Sequence, residues 1–210
     1  QAYDPVRPVP DIGSRTSKER DLRRFESLDV LERSFAAGRL ADLETGRTLH
    51  QTSIERAKRM MSSDQLAAFD VSAASKGDRE QFGDTPFGRG CLAATRLIDV
   101  GVRCVEVTLS GWDTHINNQE GVATQLRILD PALSSLFRML KERDLYDHTI
   151  VMVATEFGRT PKLNVAEGRD HWPHGFSVLL GGGGFRGGLT LGETDPTGQS
   201  QEPAGRVRVE

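Results

Sequence analysis

Long apolar runs, cysteine and an excess of basic charge are all scarce in this chain, and each scarcity excludes a class of protein. No stretch approaches the ~18 consecutive apolar residues of a membrane-spanning helix, so no transmembrane segment is expected within it. Two cysteines, Cys91 and Cys104, cannot build a disulfide framework, and their spacing is not that of a zinc knuckle. Cys91 lies in a helical pattern and Cys104 in an apolar run, so both read as small core residues. Lys and Arg number 27 against 30 Asp and Glu, a formal net charge of −3. A groove built to neutralise a phosphate backbone needs a basic excess, so nucleic acid is not expected as a partner. The chain also has no internal repeat, P-loop, G-x-S-x-G elbow or H-E-x-x-H motif. It opens with QAYDPVRPVP, without an initiator Met or a signal peptide, and stops at RVRVE without a cap or turn. It therefore reads as an internal piece of a longer protein, and the lack of a targeting segment says nothing about compartment.

What is present suits a folded α/β chain. The apolar share is 37%, and the 22 glycines bring it to about 47%, inside the ~45–50% of globular domains. The 210 residues allow one domain, or one domain plus an extension. Residues 1–84 are expected to be an extended Pro-rich tether followed by helices that pack on a main domain. Leu22, Phe25, Leu28, Leu31 and Phe35 make a helical stripe over 21–40. A second helix is expected over 53–69 with Ser53 as its cap, and 70–84 is polar and loop-like. The pattern sharpens over 85–210. Thr85-Pro86 is a hydroxyl cap followed by Pro in the first turn, and Gly101 stands where a helix stops. VRCVEVTL (102–109) reads as a buried strand. Val122, Leu126, Leu129, Leu133, Leu136 and Leu140 mark a long helix, which Asp130-Pro131 either kinks or restarts. HTIVMVAT (148–155) and FSVLL (176–180) read as further strands. Strand, a crossover of about 38 residues and strand make a βαβ unit, so the sheet is expected to be parallel, with ligands outside the carboxyl ends of its strands.

Three polar turns would then share one sheet rim. Asp113 and His115, two apart in a short loop, suit a divalent cation, since zinc accepts both imidazole nitrogen and carboxylate oxygen at about 2.0–2.2 Å. The alternative is an Asp that accepts backbone amides at a turn beside a solvated His. Glu156 follows IVMVAT, where desolvation disfavours its charge without a nearby cation. That cation is either a metal or Arg159, and Arg159 is also suited to a bidentate hold on phosphate or sulfate. GRDHWPHG (168–175) carries Arg169, Asp170, His171 and His174 around a stiff Trp172-Pro173, as a ligand loop or as a rigid surface turn. Gly182, Gly184 and Gly187 match G-x-G-x-x-G, but LTLGETDPTG follows rather than a helix, so a tight turn or a close backbone approach explains them better than a dinucleotide does.

GVRCVEVTLSGWDTH, TIVMVATEFGRTPKLN and GRDHWPHGFSVLLGGGG, in this order, resemble the bacterial family catalogued as domain of unknown function 1501 (DUF1501), and so does FGDTPFGRGCLAATRLIDVG upstream. The resemblance runs from about Tyr3 to the end and is strongest over 82–192. It implies the alkaline phosphatase and sulfatase superfamily: a mostly parallel sheet sandwiched by helices, incomplete here as the C-terminal part of the domain, with one or two divalent metals (zinc, manganese or calcium) at the carboxyl edge. Asp113, His115, Glu156 and His171 would be ligands, Asp170 would orient a ligand from behind, and Arg159 would hold the anion of the substrate. Phe157 replaces one expected ligand, which leaves a single metal, or none, open. The nucleophile is expected upstream of this chain, and no catalytic residue is assigned within it. The implied activity is metal-dependent hydrolysis of small phosphate or sulfate esters. The alternative is a non-catalytic member that binds, for example, a surface glycan. The family also implies a periplasmic, cell-surface or secreted address. A sheet separated from its first strands would expose an unpaired edge.

Overall fold

In the computed structural model, residues 12–37, 48–61 and 63–195 are described, and the chain divides into two compact units, 1–73 and 74–210. The first is helical. The Ser17 hydroxyl accepts from the Arg20 amide and starts α1 (Lys18–Ala36). The second helix, α2 (Leu49–Met61), begins four residues before the expected cap. Ser53 lies inside it and donates its hydroxyl to the Leu49 carbonyl at 2.9 Å. Beyond it, Asp64–Phe69 and Val71–Ala73 are 3₁₀ turns. Glu32 ties the two helices together, accepting from Thr48 Oγ1 at 3.3 Å and pairing with His50. The Lys58 ammonium lies 4.2 Å from the Phe25 ring centroid. Residues 1–11 and 38–47 lie outside the described residues, and with them most of the expected tether and the end of the expected first helix.

The second unit is built on three packed helices. The stretch expected to be a loop is helical over α3 (Lys76–Phe82), capped by Ser75 and ended by Gly83 at φ 79°. The start expected for α4 is present: Thr85 accepts from the Gly88 amide, Pro86 is the first residue, and α4 runs Pro86–Asp99. Gly101 follows at φ 87° and donates to the Ile98 carbonyl, while Val102 donates to Leu97, so the last carbonyls are satisfied. α5 (Asn118–Glu142) is one helix with Pro131 inside it rather than two. Phe82, Leu92, Leu97, Met139 and Leu140 fill the space between these helices. Thr95 is buried there, and its hydroxyl donates to the Leu92 carbonyl at 2.7 Å. Helices α3 and α4 approach so closely that a Cβ on Gly88 would stand 2.2 Å from the Phe82 carbonyl oxygen.

The expected parallel sheet is not observed. β1 (Ile150–Val153) pairs antiparallel with β4 (Leu179–Gly182), and β2 (Gly158–Arg159) pairs antiparallel with β3 (His171–Trp172). The crossover helix expected between 102–109 and 148–155 is present as α5, but 102–109 does not pair with β1. The antiparallel sense of β1 and β4 follows from 154–178. That connection contains no helix, and a parallel return requires a crossover. Residues 102–109 join no ladder among the described residues. They keep the period-two burial of an extended chain, with Val105, Val107 and Leu109 half-buried and Glu106, Thr108 and Ser110 exposed. Val107 seats against α4 where Gly90 leaves room. Cys104 is therefore exposed rather than in the core, whereas Cys91 is buried and desolvation pushes its thiol up to about 12. The β1–β4 pair rests on α5 through Gly181, beside the Phe137 ring, which meets Tyr146 edge-on at 5.9 Å. Ile150, Met152, Leu179 and Leu180 remain exposed. Gly182, Gly183 and Gly184 form the tight turn at positive φ, and no helix follows among the described residues.

Alanine at position 88 has backbone, not a flexible side chain, in its way. Gly88→Ala is expected to destabilise the second unit by about 1–3 kcal/mol, measured as a lower urea midpoint at unchanged slope. A midpoint equal to that of the unsubstituted protein would contradict the α3–α4 contact.

Candidate metal centre

The site begins with Thr114. Its side chain turns inward, 7% exposed, and its hydroxyl donates to Asn118 Oδ1 at 2.7 Å on the first turn of α5. Gly121 makes room for its methyl group. The Thr114 amide donates to the Trp112 carbonyl at 2.9 Å in a tight turn, and with Thr114 pinned inward Asp113 and His115 on either side of it lie exposed.

A second segment, 164–170, docks onto this one. The amides of Asn117 and Asn118 donate to the Ala166 and Glu167 carbonyls at 3.1 and 2.9 Å, and the Arg169 amide donates to the Thr114 carbonyl at 3.0 Å. Glu167 takes φ 58° to make the turn, and Ile116 bridges to it. Gly168 is buried against His115, and a Cβ there would stand 1.8 Å from the His115 carbonyl oxygen. The chain then enters β3, where His171 is the register partner of Arg159 on β2. Cross-strand partners share one face, so this short ladder brings the Arg and the second His to the same side.

Four side chains meet around one carboxylate oxygen. Asp113 Oδ1 lies 2.6 Å from Arg159 Nη2, 2.8 Å from His171 Nε2 and 3.1 Å from His115 Nε2. The two imidazole Nε2 atoms are 3.2 Å apart. Asp170 stands behind His115 and accepts from its Nδ1 at 2.8 Å. The Arg159 guanidinium is anchored at a second point, donating from Nη1 to the Arg169 carbonyl at 3.0 Å. Phe157 covers one flank, its ring 4.3 Å from that of His171. The other flank is open, with side-chain exposures of 68% for Asp113, 44% for His115 and 49% for His171.

Asp113, His115 and His171 form the one group of potential metal ligands found among the described residues. Their ligand atoms make a triangle with sides of 2.8, 3.1 and 3.2 Å. A tetrahedral zinc with bonds of about 2.0–2.1 Å sets its ligand atoms about 3.3 Å apart, so the triangle has nearly the size of one tetrahedral face. Two imidazoles and a carboxylate are donors that zinc and manganese accept. Calcium takes six or more oxygen ligands, which this group does not offer.

The sequence-predicted residues divide as follows. Asp113, His115, His171, Arg159 and Asp170 come together. Glu156 does not: it is exposed in the bend between β1 and β2 and contributes no atom to the triangle, and its neighbour Phe157 faces the cluster instead. His174 meets Trp172 edge-on, 5.7 Å between ring centroids. The Arg169 guanidinium donates to the Thr160 and Pro161 carbonyls and braces the segment behind Arg159. Sequence reasoning overlooked Asn164, Thr114 and Gly168. Asn164 falls in the quoted TPKLN run, but nothing local to an Asn distinguishes a loop clasp from a surface residue.

Hydrogen bonds from His171 and then Arg159 hold the Asp113 carboxyl at about 2, below its ordinary 3.8. Hydrogen bonds from His115 and Asn164 lower Asp170 as well.

A comparison with known families matches residues 4–208 to the family described as Protein of unknown function (DUF1501). No curated protein and no solved structure matches the chain.

Two outcomes test this geometry. In metal-free protein, Asp113 is expected to titrate at about 2 when followed by carboxyl carbon NMR. Its folded value is depressed, so its contribution to stability is complete above the ordinary value of 3.8 and is lost as pH falls through about 2. A midpoint near 3.8 would mean that the cluster does not assemble in solution. Gly168→Ala is expected to part the two loops and abolish the nuclear Overhauser contact between the His115 and His171 rings; an unchanged contact would contradict the docking.

Proposed function

The chain belongs to the DUF1501 family, and we propose that its second unit holds one divalent metal between Asp113, His115 and His171 and takes part in hydrolysing small phosphate or sulfate esters. The observation that carries this reading is the triangle of donors with a guanidinium on the same oxygen. Metal ligands and an anion-binding group lie within one hydrogen bond of each other. A single metal suits the group better than two, since Phe157 walls one flank and Glu156 stands apart.

When bound, the metal supplies Lewis-acid polarisation of an ester oxygen and stabilises charge in in-line transfer. The chain's own residues do the rest. Asp170 accepts from His115 Nδ1 and so turns His115 Nε2 toward the metal position, the usual arrangement of a carboxylate behind a ligating imidazole. Arg159 has further N–H groups beyond those bonded to Asp113 and Arg169, which could serve an incoming anion. An alkaline phosphatase-like placement and a periplasmic or surface address belong to the same proposal and rest on the sequence motifs.

Titration with zinc and manganese is expected to give one ion per chain, and Asp113→Ala and His171→Ala to weaken binding at least about tenfold. Turnover of an aryl phosphate or aryl sulfate by the metal-loaded protein would support hydrolysis. A metal-loaded protein inert toward both would favour the binding-protein reading. Absence of bound metal, or unchanged affinity in both variants, would overturn the centre itself.

A further inference from the structure

Asn164 makes four hydrogen bonds through its side chain. Oδ1 accepts from the Ala166 and Gly168 amides, both at 2.9 Å. Nδ2 donates to the His115 carbonyl at 3.0 Å and to Asp170 Oδ1 at 3.2 Å. Both amide protons and both carbonyl lone pairs are thereby used. The orientation of the amide is fixed by its surroundings, because a flipped group would set two N–H donors against two others and an oxygen against two acceptors. One half of the side chain thus closes the loop 164–168. The other half reaches across to the segment that bears Asp113 and His115, and to the carboxylate behind His115.

That carboxylate governs what His115 offers. An ionised Asp accepts and does not donate, so the proton on the nitrogen facing Asp170 must belong to His115 Nδ1. In the neutral ring, Nε2 then carries a lone pair, which faces His171 Nε2 at 3.2 Å; Asp113 Oδ1, 3.1 Å away, already accepts from Arg159 and His171. The other tautomer would place a proton in the triangle and could not ligate. Asp170 Oδ1 stays at Nδ1 because it has two fixed donors, the His115 ring and the Asn164 amide.

We propose that Asn164 is a positioning residue of the metal centre, acting through Asp170 to hold His115 in the tautomer whose Nε2 is free to ligate. The ligand role of His115 rests on the reading of the previous section, whereas the hold of Asn164 on the ring does not require metal. Asn164→Ser separates this role from loop closure, since its hydroxyl can also close the turn without reaching Asp170. Asn164→Ala removes the donors outright, and neither variant adds a charge beside Nδ1.

The experiment uses the full chain, with nitrogen-15 NMR of the histidines in metal-free protein and zinc titration by calorimetry. The unsubstituted protein is expected to show His115 protonated at Nδ1. In Asn164→Ser, where Asp170 loses its second donor and no charge is added, the population should move toward the Nε2-protonated form and zinc affinity should fall about 10- to 100-fold. In an Asp170→Asn background, Asn164→Ser should cause no further loss, because the route through Asp170 is already cut. An unchanged tautomer in both Asn164 variants overturns the proposal, as does an added loss in the Asp170→Asn background. If the unsubstituted protein binds no zinc, the metal reading fails, while the tautomer in the metal-free protein still decides whether Asn164 positions His115.

Discussion

The site depends on one backbone contact, that of Gly168 against His115. Asp113 and His115 precede α5, while Asp170 and His171 lie more than fifty positions along the chain. The docking of 164–170 on 114–118 joins them, and Arg159 ties them a second time. A Cβ at position 168 would overlap the His115 carbonyl group, so the distance between the two loops is set by the missing side chain. Around that contact the polar groups satisfy one another. Asn164, the Thr114 carbonyl, Thr160 and the Arg169 guanidinium all hold backbone, which leaves Asp113, His115 and His171 facing solvent with Arg159 half-buried beside them. Rigidity in the supporting bonds allows two imidazoles, a guanidinium and a carboxylate to sit close together on an exposed surface.

Much of the helical frame was legible because its signals are local. The Thr85-Pro86 start, the Gly101 stop and the leucine stripe of α5 each depend on residues within a few positions. The sheet was not legible, because pairing is decided by distant chain. VRCVEVTL has the composition of a strand and the burial alternation of one, yet it finds no ladder partner among the described residues and packs Val107 on α4 instead. FSVLL begins pairing only at Leu179, where Gly181 can lie against Phe137. Glycines were the most ambiguous residues. Gly88 and Gly168 permit close approaches that appear only when two segments are seen together.

The chemistry of the site was legible by residue type, though the expected route to it differed. Asp, His and Arg in polar turns after apolar runs pointed to one rim of a parallel sheet. The residues do meet, but through an antiparallel ladder of two residues and a docked loop. Glu156 stays in the bend between β1 and β2, while Phe157 beside it and Arg159 on β2 come to the cluster.

Charge connects the proposed metal to the proposed substrate. With both imidazoles neutral, Asp113 and Asp170 against Arg159 leave the cluster one net negative charge, which repels a phosphate or sulfate ester. A divalent ion among Asp113, His115 and His171 would turn that into one net positive charge on the same open flank. Arg159 would then be freed from being the sole countercharge of Asp113, and its remaining donors would meet an incoming oxyanion in a field that attracts it. The guanidinium cannot migrate far, since Nη1 remains held by the Arg169 carbonyl. In the proposed site, metal and anion binding would be coupled through one carboxylate oxygen: the ion would recruit the ester by reversing local charge, and the ester would screen the repulsion between the ion and Arg159. A binding-only protein would gain the same selectivity for loaded over empty sites, so this electrostatic device precedes, and does not depend on, any chemistry performed there.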